Sequence, residues 1–168
     1  HKYDGYRRGP SAAQTPQVSA LGYEWRGFWI AAIRETFEEA GLLLAYKNGE
    51  LVSFADDSVH EHYDAYRAPL HRGEISLLDI CKREELELAV DRVHFYNRFV
   101  TPLGRPRRFD TRFFIASAPE NQRGKHDGRR QPGAVQSVGH GRPLRITAIR
   151  GRRLRPADRT RRARSSRH

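Results

Sequence analysis

The stretch Arg34-Glu35-Thr36-Phe37-Glu38-Glu39-Ala40-Gly41-Leu42 decides how this chain is read. On a helix of about 100° per residue, Glu35, Glu38 and Glu39 share an arc of about 100°. Ile30, Ile33 and Phe37 centre on the opposite side. One face is apolar and the other is a carboxylate cluster. Like charges at i,i+3 and i,i+4 destabilise a helix by roughly a few tenths of a kcal/mol per pair. A divalent cation is the candidate to offset that repulsion, because hard cations such as Mg²⁺ take carboxylate and phosphate oxygens. The bland alternative for any Glu-rich run is a solvated helix face. Arg34 before the first glutamate and Gly41 after the last pair set this run apart.

Outward from this helix, the 168 residues divide into two compositions. Residues 1–121 carry 16 Lys and Arg against 18 Asp and Glu, a net of −2, and hold all 17 aromatic residues. Residues 122–168 carry 15 basic and 2 acidic residues, a net of +13, and no aromatic. So little large apolar surface cannot offset chain entropy. The segment 122–168 is therefore expected to be a disordered Arg-rich tail. Residues 1–21, rich in Gly, Pro, Ser and Gln, read as a flexible lead.

Between them, a helix is expected from about Gly22 to Ala40, stopped by Gly41. Leu42–Tyr46 reads as a strand, and Lys47-Asn48-Gly49-Glu50 as a turn. Residues 57–68 suggest a helix and Ser76 an N-cap. Residues 92–96 and 108–116 read as strands joined by a loop over 101–106. His60 and His62 flank Glu61, but residues two apart on a helix do not share a face, which argues against a metal site there. Trp25 and Trp29 read as core.

Cys81, the single cysteine, excludes an internal disulfide and reads as a buried small hydrophobe. It is compatible with a reducing, cytoplasmic location. No stretch approaches the roughly 20 apolar residues of a membrane span. The chain contains no methionine. It is therefore read as a processed product or a fragment.

The opening stretch resembles the core of the Nudix box, Arg-Glu-apolar-x-Glu-Glu-x-Gly-apolar. Arg34, Glu35, Glu38, Glu39, Gly41 and Leu42 match, and Thr36 stands where an apolar residue is usual. The upstream Gly and Glu of the full box would fall at Ala20 and Arg26, so both are absent. Together with Thr101-Pro102 and the run Arg107-Arg108-Phe109-Asp110-Thr111-Arg112-Phe113-Phe114, the chain is similar to the branch that includes coenzyme A diphosphatases. The resemblance covers about residues 25–128 and implies an α/β (α+β) fold, an α-β-α sandwich. Residues 22–121 would form the domain and 57–90 a helical insertion. The strands and Gly-Gly loop expected ahead of the box are not legible in residues 1–21, so the domain is expected to be incomplete at its N-terminus. After about residue 128 the composition resembles a GC-rich gene translated out of frame.

The resemblance implies a hydrolase that cleaves a diphosphate bond in a nucleoside diphosphate derivative, with coenzyme A or acyl-CoA as the leading substrate. It implies Mg²⁺ or Mn²⁺ as cofactor, held by Glu35, Glu38 and Glu39, with Arg34 orienting a glutamate, Glu38 being in i,i+4 reach. Arg107, Arg108 and Arg112 would contact substrate phosphates, or else belong to a cross-strand charge ladder with Asp110. The general base is one of the three glutamates or a Glu elsewhere. Two other readings stand beside this one. The basic tail would bind nucleic acid nonspecifically, with steep salt dependence, or the chain would be a truncated protein without activity. No membrane partner is expected, and the sequence does not specify an oligomeric state.

Overall fold

A computed structural model describes residues 1–104, 109–122, 136–138 and 144–150. The elements run β1 (Arg7–Arg8), α1 (Thr15–Leu21), α2 (Trp25–Ala40), β2 (Ala45–Lys47), β3 (Glu50–Leu51), α3 (Asp57–Asp64), α4 (Arg67–His71), α5 (Leu77–Glu84), β4 (Glu87–Ala89), β5 (Val93–Val100), β6 (Asp110–Ser117), β7 (Gln136–Val138) and β8 (Leu144–Arg150). The α/β reading holds. One four-stranded sheet has the order β1-β4-β2-β3 and the other β5-β6-β8-β7. No helix among the described residues is long and apolar enough to cross a membrane.

The apolar face of α2 drives the packing. Trp29, Ile33 and Phe37 are fully buried and share one core with Leu44 and Ala45 of the β2 region, Leu77 and Ile80 of α5, Leu88 of β4 and Phe114 of β6. Trp29 meets Phe114 edge to face at 5.2 Å, and its indole N–H donates to the Val93 carbonyl at 2.6 Å. Both tryptophans are core. Cys81 is fully buried, and burial pushes its thiol up to about 12. The Asn48-Gly49 turn joins β2 to β3 with both residues at positive φ. Ser76 caps α5 by exchanging hydrogen bonds with Asp79.

Three expectations need correction. First, residues 1–21 are docked and carry structure. β1 pairs in parallel with β4, Tyr3 is buried, and α1 follows. The polar composition hid this because the anchor is itself polar. Gln14 is fully buried; its Nε2 donates to the Val90 and Val93 carbonyls, both at 2.7 Å. Second, the segment 57–90 is three short helices ending at Glu84, and Glu87–Ala89 is strand β4, between β1 and β2 in its sheet. Third, the segment expected to be a disordered tail supplies two strands. β8 pairs antiparallel with β6 from Thr111↔Arg150 to Ser117↔Leu144, and β7 pairs with β8. Averaging over the tail concealed Ile146, Thr147 and Ile149, β-branched residues suited to a strand. Gln122, at the head of that segment, is buried; it accepts from the Leu43 amide at 2.9 Å and donates to the Val52 carbonyl at 2.7 Å. The rest of the segment lies outside the described residues, and the nucleic-acid reading lies with it.

Candidate active site

The last turn of α2 carries the three glutamates and ends at Gly41, whose φ of 68° places it in the left-handed region. Its amide donates to the Phe37 carbonyl at 2.9 Å. A glycine adopts this conformation without the penalty that a Cβ would bring. Thr36, where the box usually has an apolar residue, is buried, and its hydroxyl donates to the Ala32 carbonyl at 2.8 Å. That bond satisfies the polar group and lets threonine serve as a packing residue.

Arg34 Nε donates to Glu38 Oε1 along the helix, the i,i+4 pairing expected from the sequence. The Glu38 side chain is only 7% exposed. Burial and the adjacent Glu38 charge push the Glu35 carboxyl up, with Arg34 and His71 pulling it partly back. The donor set is therefore all carboxylate, half-buried and self-repelling, which fits a hard divalent cation. Among the described residues, no three His, Cys, Asp or Glu side chains converge on one point.

Two further residues, both on α4, were not legible in the sequence. His71 Nδ1 lies 3.7 Å from Glu38 Oε2. Arg67 reaches the main chain of the last α2 turn, donating to the Phe37 carbonyl at 3.0 Å and the Glu38 carbonyl at 2.9 Å. No linear motif links these helices, because the contact depends on how the segment between them folds back.

Arg112 is engaged by Phe28 and Asp110. Its guanidinium lies 3.9 Å over the Phe28 ring and 3.4 Å from Asp110. Arg98, its cross-strand partner, forks onto the same Asp110 at 2.7 and 2.9 Å. Those bonds hold the Asp110 carboxyl below the usual range. This geometry favours the charge ladder of the two roles weighed for Arg112. Arg107 and Arg108 lie outside the described residues. Arg26, at the position of the missing box glutamate, pairs instead with Asp4 at 3.2 Å.

Two clefts flank the β2–β3 hairpin. One of about 490 Å³ has Leu44, Val52, Arg92, His94, Ser117 and Ala118 among its walls, and Ala118 packs on Ala40 and Leu42 at the end of α2. The other, about 630 Å³, is bordered by Lys47, Val59, His62 and Glu84. There His62 pairs with Glu84 at 2.9 Å and not with its sequence neighbour Glu61. Burial alone would raise the Glu84 carboxyl; hydrogen bonds from Tyr66 and His62 and the charges of His62 and Lys47 outweigh it and hold it below the usual range.

The family model described as the NUDT19 Nudix domain matches residues 11–140. The match begins inside the segment expected to be a flexible lead and runs past residue 128. A curated relative, acyl-coenzyme A diphosphatase NUDT19 of Xenopus laevis, is 32% identical over 97 residues, covering 51% of this chain and 25% of the relative. The chain thus spans about a quarter of that relative's length. No solved structure matches.

Proposed function

Because this chain belongs to the Nudix family through its NUDT19 Nudix domain, we propose that it hydrolyses a diphosphate bond in a coenzyme A-type substrate. The observation that carries this is the α2 turn, which carries Glu35, Glu38 and Glu39, pairs Glu38 with Arg34 and stops at left-handed Gly41. Glu35, Glu38 and Glu39 would hold Mg²⁺ or Mn²⁺. When bound, such an ion neutralises phosphate charge and acidifies an attacking water.

The chain's own residues supply position and charge. Arg34 fixes Glu38 by a charge-assisted bond, stronger than a neutral one. One of the three glutamates, or another carboxylate, takes the proton from water. The 490 Å³ cleft falls within the range of small-molecule sites. Arg92 and His94 on its wall would face substrate phosphates, and Arg107 and Arg108 remain candidates for the same role by residue type alone. The choice of a coenzyme A-type substrate follows the name of the amphibian relative.

The test is product analysis with Mg²⁺ or Mn²⁺ on coenzyme A, acetyl-CoA, ADP-ribose, NADH and nucleoside triphosphates, with Glu39→Gln as control. Metal-dependent release of phosphopantetheine and adenosine bisphosphate, reduced at least tenfold in Glu39→Gln, is expected. Cleavage of ADP-ribose or NADH but not coenzyme A refutes the substrate assignment. Cleavage unaffected by Glu39→Gln refutes the site.

A further inference from the structure

We infer that Arg67 is a positioning residue for the metal-binding turn, an inference that rests on the reading of Glu38 and Glu39 as cation ligands. A helix leaves its last four carbonyls without intrahelical partners. At the end of α2 the Arg67 guanidinium joins the Gly41 amide on the Phe37 carbonyl and reaches the two carbonyls that follow. Its Nε donates to the Phe37 carbonyl at 3.0 Å, and its Nη2 to the Glu38 and Glu39 carbonyls at 2.9 and 3.4 Å. Its Nη1 is held by Asp64 at 2.7 Å. The side chain is 17% exposed, so the fork works largely out of water. Two of the three carbonyls belong to the proposed ligands themselves.

The fit is close enough to constrain the sequence. A Cβ on Gly41 would lie 3.2 Å from Arg67 Nη1. The φ of the box glycine already disfavours a side chain, and a Cβ there would also press on the guanidinium, which would have to give by a few tenths of an ångström. The same short helix also touches the other side of the box. The Leu70 carbonyl accepts from Arg34 Nη2 at 3.4 Å, and His71 sits beside Glu38. Helix α4 thus braces both the main chain of Glu38 and Glu39 and the arginine that aims Glu38.

Charge and geometry predict opposite effects on metal binding. Arg67 is a cation at the end of the helix that carries the three glutamates, so as a charge alone it repels a divalent ion, and its removal would tighten binding. As a fork it fixes the backbone from which two ligands project. A lysine keeps the charge but cannot reproduce the planar, multiply bonded geometry.

The experiment is a Mn²⁺ titration of the full chain and its variants, reading free Mn²⁺ by EPR, with thermal midpoints by circular dichroism. Arg67→Met and Arg67→Lys are expected to weaken Mn²⁺ binding at least fivefold. Gln14→Ala, a destabilising change far from this turn, should stay within twofold of the parent. Affinity unchanged or tightened in Arg67→Met overturns the inference, as does full rescue by Arg67→Lys. Should Arg67→Met not fold, Arg67→Lys decides. A parent chain that binds no Mn²⁺ overturns the metal reading and this inference together. A parent that binds Mn²⁺ and is indifferent to Arg67 overturns the inference alone.

Discussion

Replacing Gln14 by alanine removes three hydrogen bonds from a fully buried site. Nε2 donates to the carbonyls of Val90 and Val93, and Oε1 accepts from the Ser11 amide at 2.7 Å. The two carbonyls are not left bare. Val93 O keeps the Trp29 indole N–H, and Val90 O keeps the Val93 amide. The loss is therefore set by net bond energies of about 1 kcal/mol each, not by the full penalty of orphaned groups, and comes to about 3 kcal/mol. That is a large share of the roughly 5–15 kcal/mol by which a domain is stable. In urea, with a slope of about 1.5–2 kcal/mol/M, the midpoint should fall by about 1.5–2 M with the slope unchanged. A midpoint shift under about 0.5 M, less than 1 kcal/mol at that slope, would refute the argument. It would mean that residues 11–21 do not hold the junction before β5.

Other expectations can be checked with the same preparations. Gly41→Ala places a Cβ at positive φ and against Arg67; the conformation alone costs about 1–2 kcal/mol, read as a lower thermal midpoint, and Mn²⁺ affinity should fall with it. Tyr66→Phe deletes a 2.5 Å bond to the Glu84 carboxylate and should lose about 1.5–2 kcal/mol at pH 7, as expected for a bond to a charged group. Because the Glu84 carboxyl is held below its usual range, its contribution is present above the ordinary Glu value and fades as pH falls through the lowered one; Glu84→Gln should therefore be less stable than the parent at pH 7 and approach it on acidification. Glu35 has the opposite sign, since its carboxyl is pushed up. Its favourable contribution is complete below the ordinary Glu value and is lost as pH rises through the raised one. Without metal, Glu35→Gln should raise the thermal midpoint at pH 7, by the few tenths of a kcal/mol of a like-charge helix pair, and have no effect at low pH; a lower midpoint at pH 7 would contradict this.

Helix α2, its glutamate face and its glycine stop were legible because each depends on residues within a turn or two of one another. The Arg34–Glu38 pair, the Asn48-Gly49 turn and the Ser76 cap were legible for the same reason. The order in residues 1–21 and in the β8 segment was not. In residues 1–21 the anchor is a single polar residue, Gln14, bonded to main chain 76 positions away, and β8 is held by main-chain pairing with β6; Gln122, just after β6, is likewise bonded to main chain 70 positions away. Composition counts such residues as solvent-loving, although a buried amide with its donors and acceptor satisfied packs as well as an apolar group. For Arg112 the sequence left two roles open, and the ring of Phe28 and the fork of Arg98 on Asp110 favour one of them.

By itself the sequence determined the helical period, the charge on one face and the residue that ends the helix, all set by local backbone geometry and by repulsion between neighbours. Only the tertiary structure decided what that helix end touches. Arg67 and His71 reach it from α4 because burial of the core side chains folds the intervening segment back over α2. Such contacts depend on how distant elements close around a common core, and no local spacing encodes them.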